Sequence, residues 1–295
     1  MIPDLFTIIP ADKTSAADSK PATKVQTEVP IEVSTEVPIK VPIVASLPHS
    51  GLQVPDEIAA CFSEQHLRTL PNSDWHLQPL YSFLPSLGIT VLQANYSRYV
   101  VDLNRALKPP FFGSFWSAVV PEQTAFKQAI YKAGHQPSQA QVRSRIETYY
   151  TPYHQALTAL LNEAIAQHGS VYLLDLHSFM GIITDDVCLG NAQGTTCTDK
   201  FLELVADSFA HRGYGVVKNK VFTGGHITRH YGQQPGVEAL QVEIRYPIYL
   251  PADQIADPCA SASAPMPIPS YQSTLFTQAQ KNLRSVFSQI VAGLP

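Results

Sequence analysis

Apolar residues fall into short uninterrupted runs that alternate with stretches of helical spacing, the pattern of strands interleaved with helices. Val41 to Leu47 and Ile89 to Ala94 are runs of strand length, the first ending at Pro48-His49-Ser50-Gly51. Ser97 to Leu103 alternates into Asp102-Leu103-Asn104-Arg105 and reads as extended chain. From Ser138, a good N-cap, Val142, Ile146, Tyr149, Tyr153, Leu157, Leu160 and Leu161 recur at helical spacing. Pro152 should kink or split that helix, and Gly169 should end it. Val171 to Leu176 is a buried-strand run that stops at His177-Ser178. Phe201, Leu204, Val205 and Phe209 predict another helix, and Val216 to Phe222 and Ala239 to Ile244 predict strands. Phe276, Leu283, Val286, Phe287, Ile290 and Val291 form the stripe of a closing helix after a Ser/Ala/Pro-rich loop. Alternation of this kind predicts a layered α/β domain.

With 45% hydrophobic and 15% charged residues, the 295-residue chain has ample apolar surface for a core, which excludes a wholly disordered protein. Its 20 Lys+Arg stand against 24 Asp+Glu, so the basic excess of a nucleic-acid-binding surface is missing. No apolar run reaches the roughly 20 residues of a membrane-spanning helix. The opening MIPDLFTIIPADK lacks a basic leader, and the four cysteines form no CxxC pair. A cytoplasmic setting with ordinary thiols is the expectation. Thr27 to Pro42 repeats TEVPIEVS as TEVPIKVP, and its prolines favour extended backbone. Residues 1–41 therefore read as a low-complexity extension, either a tether or an edge strand for a partner, and 42–295 as one domain.

Polar residues cluster where apolar runs stop: His49 after one, His177 after another, Glu243 inside LQVEIRY. In open α/β sheets the ligand crevice lies beyond the carboxyl ends of strands, so three such positions can converge. A buried carboxylate such as Glu243 must be paired, protonated or liganded. Neither HExxH, GxGxxG nor a GK[ST] loop is present, and no organic cofactor is expected. A glycine pair, Gly224-Gly225, opens a polar run through His226, Thr228, Arg229, His230 and Tyr231, which suggests a lining loop or a surface hairpin. Asp74 could equally cap a helix ahead of Leu77, Leu80 and Tyr81. His154 reads as a satisfied helix-face histidine, and His66, His135, His168 and His211 as surface positions.

The strings PHSG at 48–51, NSDWH at 72–76, SRYVVDLNR at 97–105, DLHS at 175–178, GGHITRHYG at 224–232 and QVE at 241–243 come in the order of the N-formylglutamate amidohydrolase family, which the chain resembles over roughly residues 43 to 250. That family is similar in fold and site logic to zinc carboxypeptidases and aspartoacylase. The resemblance implies a three-layer α/β/α amidohydrolase domain with a central mixed sheet, zinc-carboxypeptidase-like (phosphorylase/hydrolase-like). It also implies one zinc ion on His49, His177 and an oxygen ligand. Leu52 stands where carboxypeptidase-like sites carry an acid, so Asp74 is the substitute and His76 its rival. Glu243 matches the general base and Arg98 the oxyanion cation. Asn104 and Arg105 match the pair that grips an α-carboxylate, and His226, Thr228 and Arg229 belong to the lining loop. The implied reaction is hydrolysis of N-formyl-L-glutamate, or a close N-acyl amino acid, to the amino acid and formate, by zinc-activated water with a glutamate base. In that family the step closes one route of histidine degradation. A carboxypeptidase-like or aspartoacylase-like hydrolase of another carboxylate-bearing amide, or a non-catalytic binder that kept the pocket, are the alternatives. The partner is a small carboxylate-bearing substrate, and oligomeric state is left open. Two departures fall on the substrate side: Phe179, Met180 and Gly181 follow His-Ser where the family often has an arginine, and Pro109 to Trp116 is unusually apolar.

Overall fold

Seven strands of the computed structural model, which describes residues 5–11, 38–181, 183–255 and 267–295, form one mixed sheet. Strands β1 (Phe6–Ile9), β2 (Ile43–Leu47) and β3 (Thr90–Ala94) come first, then a separate pair of two-residue strands, β4 (Phe112–Gly113) and β5 (Val120–Pro121). β6 (Val171–Phe179), β7 (Val187–Gly190), β8 (Val216–Lys218) and β9 (Val237–Arg245) follow. The spatial order is β1-β3-β2-β6-β9-β7-β8. β3, β2, β6 and β9 run parallel, β1 is antiparallel to β3, and β7 to β9. The helices are α1 (Asp56–Ala59), α2 (Glu64–Thr69), α3 (Leu77–Leu80), α4 (Gln139–Arg145), α5 (Thr151–His168), α6 (Asp199–Ala210), α7 (His226–Tyr231) and α8 (Thr274–Gly293).

Side chains alternate across a strand, and this sheet uses both faces. Tyr172, Leu174 and Leu176 of β6 and Leu240, Val242 and Ile244 of β9 pack in one cluster with α3, α6 and α8. Val171 and Leu173 of β6 and Val237 and Ala239 of β9 pack on the other face with α5 and α7. The result is three layers, α/β/α. The second face changes character along its length: after Leu173 come Asp175 and His177, and after Ala239 come Gln241 and Glu243, all buried. Parallel register sets Asp175 beside Gln241 and His177 beside Glu243. Polar residues thus collect at the carboxyl ends of the strands, beside α5 and α7.

Ser138 caps α4 with a capping box through Gln141. The helical run is split just ahead of Pro152, as the proline predicts. A π-helical turn at Ile146–Tyr150 separates α4 from α5 and places the proline in the first turn of α5, where a residue without an N–H is best tolerated. Gly169 takes a left-handed φ of 82° and terminates α5.

Several boundaries differ from the sequence reading. The alternating stretch 97–105 is a series of turns, held by bonds such as Asp102 N–H to Val119 O, and its apolar side chains feed two clusters at once. β6 runs on through His177 to Phe179, and β8 stops at Lys218. Phe6–Ile9, read as part of the extension, pairs with β3 as an edge strand, and Ile39 is buried. Residues 27–37 of the repeat lie outside the described residues. His66, read as a surface residue, is buried between the edges of Phe62 and Tyr99, and burial pushes its pKa down to about 4. Among the described residues no helix is long and apolar enough to cross a membrane.

Candidate active site

β2 ends at Leu47, and His49 follows in a loop that Gly51 presses against the backbone of Asn95 and Tyr96, where a Cβ would come within 2.6 Å of main-chain atoms. The backbone N–H of Asp74 bonds the carbonyl of His49 at 3.1 Å, so the two loops travel together. His177 reaches the same point from β6. One donor atom from each of His49, Asp74 and His177 lies within 4.8 Å of the others, and all three residues are buried. Asp74 Oδ2 is 2.9 Å from His177 Nδ1 and 3.8 Å from His49 Nδ1. His76 does not join them. Its backbone turns left-handed (φ 61°), and its Nε2 sits 2.5 Å from the Pro269 carbonyl.

Each histidine offers Nδ1 to the cluster and holds its other nitrogen on a second carboxylate. His49 Nε2 lies 2.7 Å from Asp102 Oδ1, and His177 Nε2 lies 3.1 Å from Asp175 Oδ1. A carboxylate behind each ring fixes tautomer and orientation, the usual support for a metal-ligating histidine. Burial raises the Asp102 carboxyl, but Arg105, Arg98 and His49 around it hold it well below the usual carboxylate range. Burial and Arg98 push His49 down to about 4. Burial also depresses His177, yet Asp175 and Asp74 together raise it well above 6.5. A positive charge between Asp74 and Asp175 is therefore favoured, and four carboxylates (Asp74, Asp102, Asp175, Glu243) face two arginines in this buried site. Two imidazoles and a carboxylate with that surplus of negative charge fit a divalent cation.

Glu243 stands next to His177 across the β6–β9 ladder. Its Oε1 accepts from Gln241 Nε2 at 2.6 Å, while Oε2 is buried and accepts no hydrogen bond from a described residue. Burial pushes the carboxyl up to about 7, against the pull of His177. A carboxylate with one open oxygen and a pKa near neutrality is suited to taking up and returning a proton.

The other residues singled out by sequence divide into two groups. Arg98 is turned onto Asp102, with Nη2 at 2.6 Å and Nε at 3.2 Å, and its Nη1 donates to the Asn72 carbonyl at 2.9 Å. Its guanidinium carbon sits 4.5 Å over the Phe115 ring, which gives the apolar segment after Arg105 a packing role. Expected at an oxyanion, Arg98 is placed where it fixes the carboxylate behind His49. Asn104, expected to grip substrate, is buried: Nδ2 donates to Asp175 Oδ2 at 3.2 Å and lies 2.9 Å from His177 Nε2, and Oδ1 accepts from Ile227 N–H at 2.8 Å. Thr228 donates to Asp175 Oδ2 at 3.2 Å, so it too sits behind His177 rather than on a lining surface. Arg229 is exposed and folds back on Gly224 O and Thr223. His226 lines a cleft beside α7. Arg105 is part-buried, donates to Phe115 O and Asn104 O, and its Nη2 is 3.9 Å from Asp102.

Asp102 and Asp175 received no role from sequence, although both stood inside the quoted motifs. The signal was there for Asp175: two residues before His177 on a strand, it shares the histidine's face. Asp102 lies in turns, and nothing in its spacing announces contact with His49.

Fold and site together define an α/β hydrolase with a His₂-carboxylate centre of the metal-binding type. Residues 41–250 match the family described as N-formylglutamate amidohydrolase, and the chain belongs to that family, whose members hydrolyse an amide. It is 34% identical over 218 residues to the N-formylglutamate deformylase of Pseudomonas aeruginosa, covering 70% of this chain and 82% of that one. Its identity to the deformylase of Pseudomonas putida is 33% over the same length, covering 70% and 81%. Among solved structures, the N-formylglutamate amidohydrolase of Ralstonia eutropha superposes with a TM-score of 0.72 at 24% identity, covering 98% of both chains. The gene product Atu2144 of Agrobacterium tumefaciens has a TM-score of 0.63 at 15% identity, over 86% and 90% of the two chains. Both share the fold.

Proposed function

We propose that this chain is a zinc-dependent N-formylglutamate deformylase, hydrolysing N-formyl-L-glutamate to L-glutamate and formate. The observation that carries the reading is the convergence of His49, Asp74 and His177 beside the open oxygen of Glu243. Membership of a family whose relatives carry the deformylase name supplies the substrate.

His49, His177 and Asp74 would hold the ion, and zinc suits two imidazole nitrogens and one carboxylate oxygen. When bound, such an ion supplies Lewis-acid polarisation of a carbonyl and lowers the pKa of water. The chain's own residues do the rest. Asp102 and Asp175 keep the two imidazoles in register. Glu243 takes the proton of the attacking water on Oε2 and returns it to the amide nitrogen as the C–N bond breaks. Gln241 fixes the carboxylate through its other oxygen, so the proton is held at one place. Arg105, part-open and close enough to Glu243 and Asp102 to feel both charges, receives the substrate α-carboxylate through its planar guanidinium. Arg98 acts through Asp102, not on substrate.

Purified protein loaded with zinc should release formate and glutamate in equal amounts from N-formylglutamate, and acetylaspartate and short peptides should be poorer substrates. Turnover of those compounds in preference to N-formylglutamate would replace the substrate and keep the site.

A further inference from the structure

Helix α7 carries a second pair of imidazoles that the chemistry above does not use. His226 and His230 are four residues apart, so they share one face of the helix. Their ring centroids are 5.2 Å apart, with the planes inclined by 31°. When one tetrahedral ion holds two imidazole nitrogens at about 2.0–2.1 Å, the ring centroids fall about 5 Å apart. The pair already has the spacing of a chelate.

The backbone beneath the pair is fixed. Gly225 N–H donates to Gln241 Oε1 at 2.5 Å, and Ile227 N–H donates to Asn104 Oδ1 at 2.8 Å. The Thr228 hydroxyl donates to Asp175 Oδ2 at 3.2 Å, and the Tyr231 hydroxyl to His154 O at 3.1 Å. Little ordering is left to be done when the two rings close on an ion.

The neighbouring His154 is different. Its Nδ1 lies 3.0 Å from the Tyr231 hydroxyl and its Nε2 2.9 Å from Leu103 O, so both nitrogens are engaged. The rings of His226 and His230 make no hydrogen bond with a described residue. They line a cleft of about 680 Å³, which leaves room for water or a small ligand on the ion's remaining positions. No Asp or Glu lines that cleft, which disfavours calcium and magnesium and leaves the ions that seek imidazole: zinc, nickel and copper. Asp175 and Asp102 lie within electrostatic reach of His226 and offset Lys108, so a cation is not turned away.

We propose that His226 and His230 form a second metal site, for a divalent transition-metal ion such as zinc, separate from the His49-Asp74-His177 centre. Buried Asn104 and Thr228 stand between the two. The second site is the weaker, because the chain supplies two ligands there in place of three. The inference does not rest on the deformylase reading.

The test dialyses metal-free wild type, His226→Ala and His230→Ala against rising zinc and counts bound metal per chain at saturation. Each variant should bind one ion fewer than wild type, the missing ion being the one that wild type takes up last. His230 is exposed, so its replacement should leave the melting temperature of the metal-free chain unchanged. Carbethoxylation gives a readout on wild type itself: the zinc that fills the weaker site should slow the reaction of His226 and His230, followed by peptide mass spectrometry. A failure of the His49-Asp74-His177 centre would lower all three counts together and leave the difference of one. Equal counts in wild type and either variant, or carbethoxylation of the two histidines that zinc does not slow, would overturn the inference.

Discussion

Replacing Glu243 by glutamine should move activity and stability in opposite directions. The carboxyl is buried, one oxygen is bonded only by Gln241, and the other accepts nothing from the described residues. Burial lifts its pKa from the ordinary 4.5 to about 7. A raised carboxyl holds its proton longer in the folded than in the unfolded chain, so stability is lost as pH rises from 4.5 to about 7. At about 1.4 kcal/mol for each pH unit, the folded metal-free protein gives up about 3 kcal/mol by neutral pH. Glutamine keeps the shape and has no charge to bury. Metal-free Glu243→Gln should therefore unfold at higher denaturant than metal-free wild type at pH 7.5, with the gap closing below pH 4.5. Turnover should fall about 10²- to 10⁴-fold, the range for loss of a general base, or roughly 3–5 kcal/mol of barrier, with metal content unchanged. Paired denaturation curves at both pH values and steady-state formate release measure the two effects. A variant that is less stable at pH 7.5, or that keeps turnover within tenfold, would refute the assignment of Glu243 as a destabilised base.

Asp175→Asn should weaken metal affinity about 10- to 100-fold, the usual effect of removing the carboxylate behind a ligating histidine, as read by competition with a chromophoric chelator; unchanged affinity would detach Asp175 from the metal site. Arg105→Ala should lower kcat/KM by roughly 30- to 5,000-fold, because removing one partner of a desolvated charge pair costs about 2–5 kcal/mol. Arg105→Lys should also be impaired, since the ammonium loses the planar fork, and equal discrimination of N-formylglutamate from its α-amide by wild type and Arg105→Ala would place the carboxylate elsewhere. His66 is held neutral by burial, with its pKa near 4 against 6.5, so the unfolded chain takes up a proton that the folded ring refuses. Stability should accordingly fall as pH drops from 6.5 to about 4, and His66→Phe should make that slope shallower by about 1.4 kcal/mol per pH unit.

Strand and helix positions with strong periodicity were legible in the sequence: the parallel core β2, β3, β6 and β9, the capped start at Ser138, and the closing helix. These are set by local pattern and by burial on both sheet faces. The exceptions share a cause. The 97–105 stretch alternates because its apolar residues serve two clusters across a chain of turns, which has the period of a strand without its pairing. His66 looked polar and therefore external, but Phe62, four residues before it, and the distant Tyr99 enclose it. Within the site, His49, His177 and Glu243 sit at, just past or inside an apolar run, whereas Asp74, in a polar segment, was singled out only by the resemblance of its motif. Motif identity did not distinguish side chains that would meet substrate from those that hold the ligands. Asn104, Thr228 and Arg98 all lie behind the imidazoles, bonded to Asp175 or Asp102, and only the packing of α7 and the 97–105 turns decides that.

The central claim is a metal-dependent hydrolysis at the His49-Asp74-His177 centre, and one titration tests it most directly. Chelated, metal-free protein is given zinc in steps while bound metal and formate release from N-formylglutamate are both recorded, for wild type and for His177→Ala. Formate release by wild type should rise in proportion to occupancy and level off at one ion per chain, and His177→Ala should neither retain the ion nor release formate. Full activity in the metal-free protein, or in His177→Ala, would contradict the account.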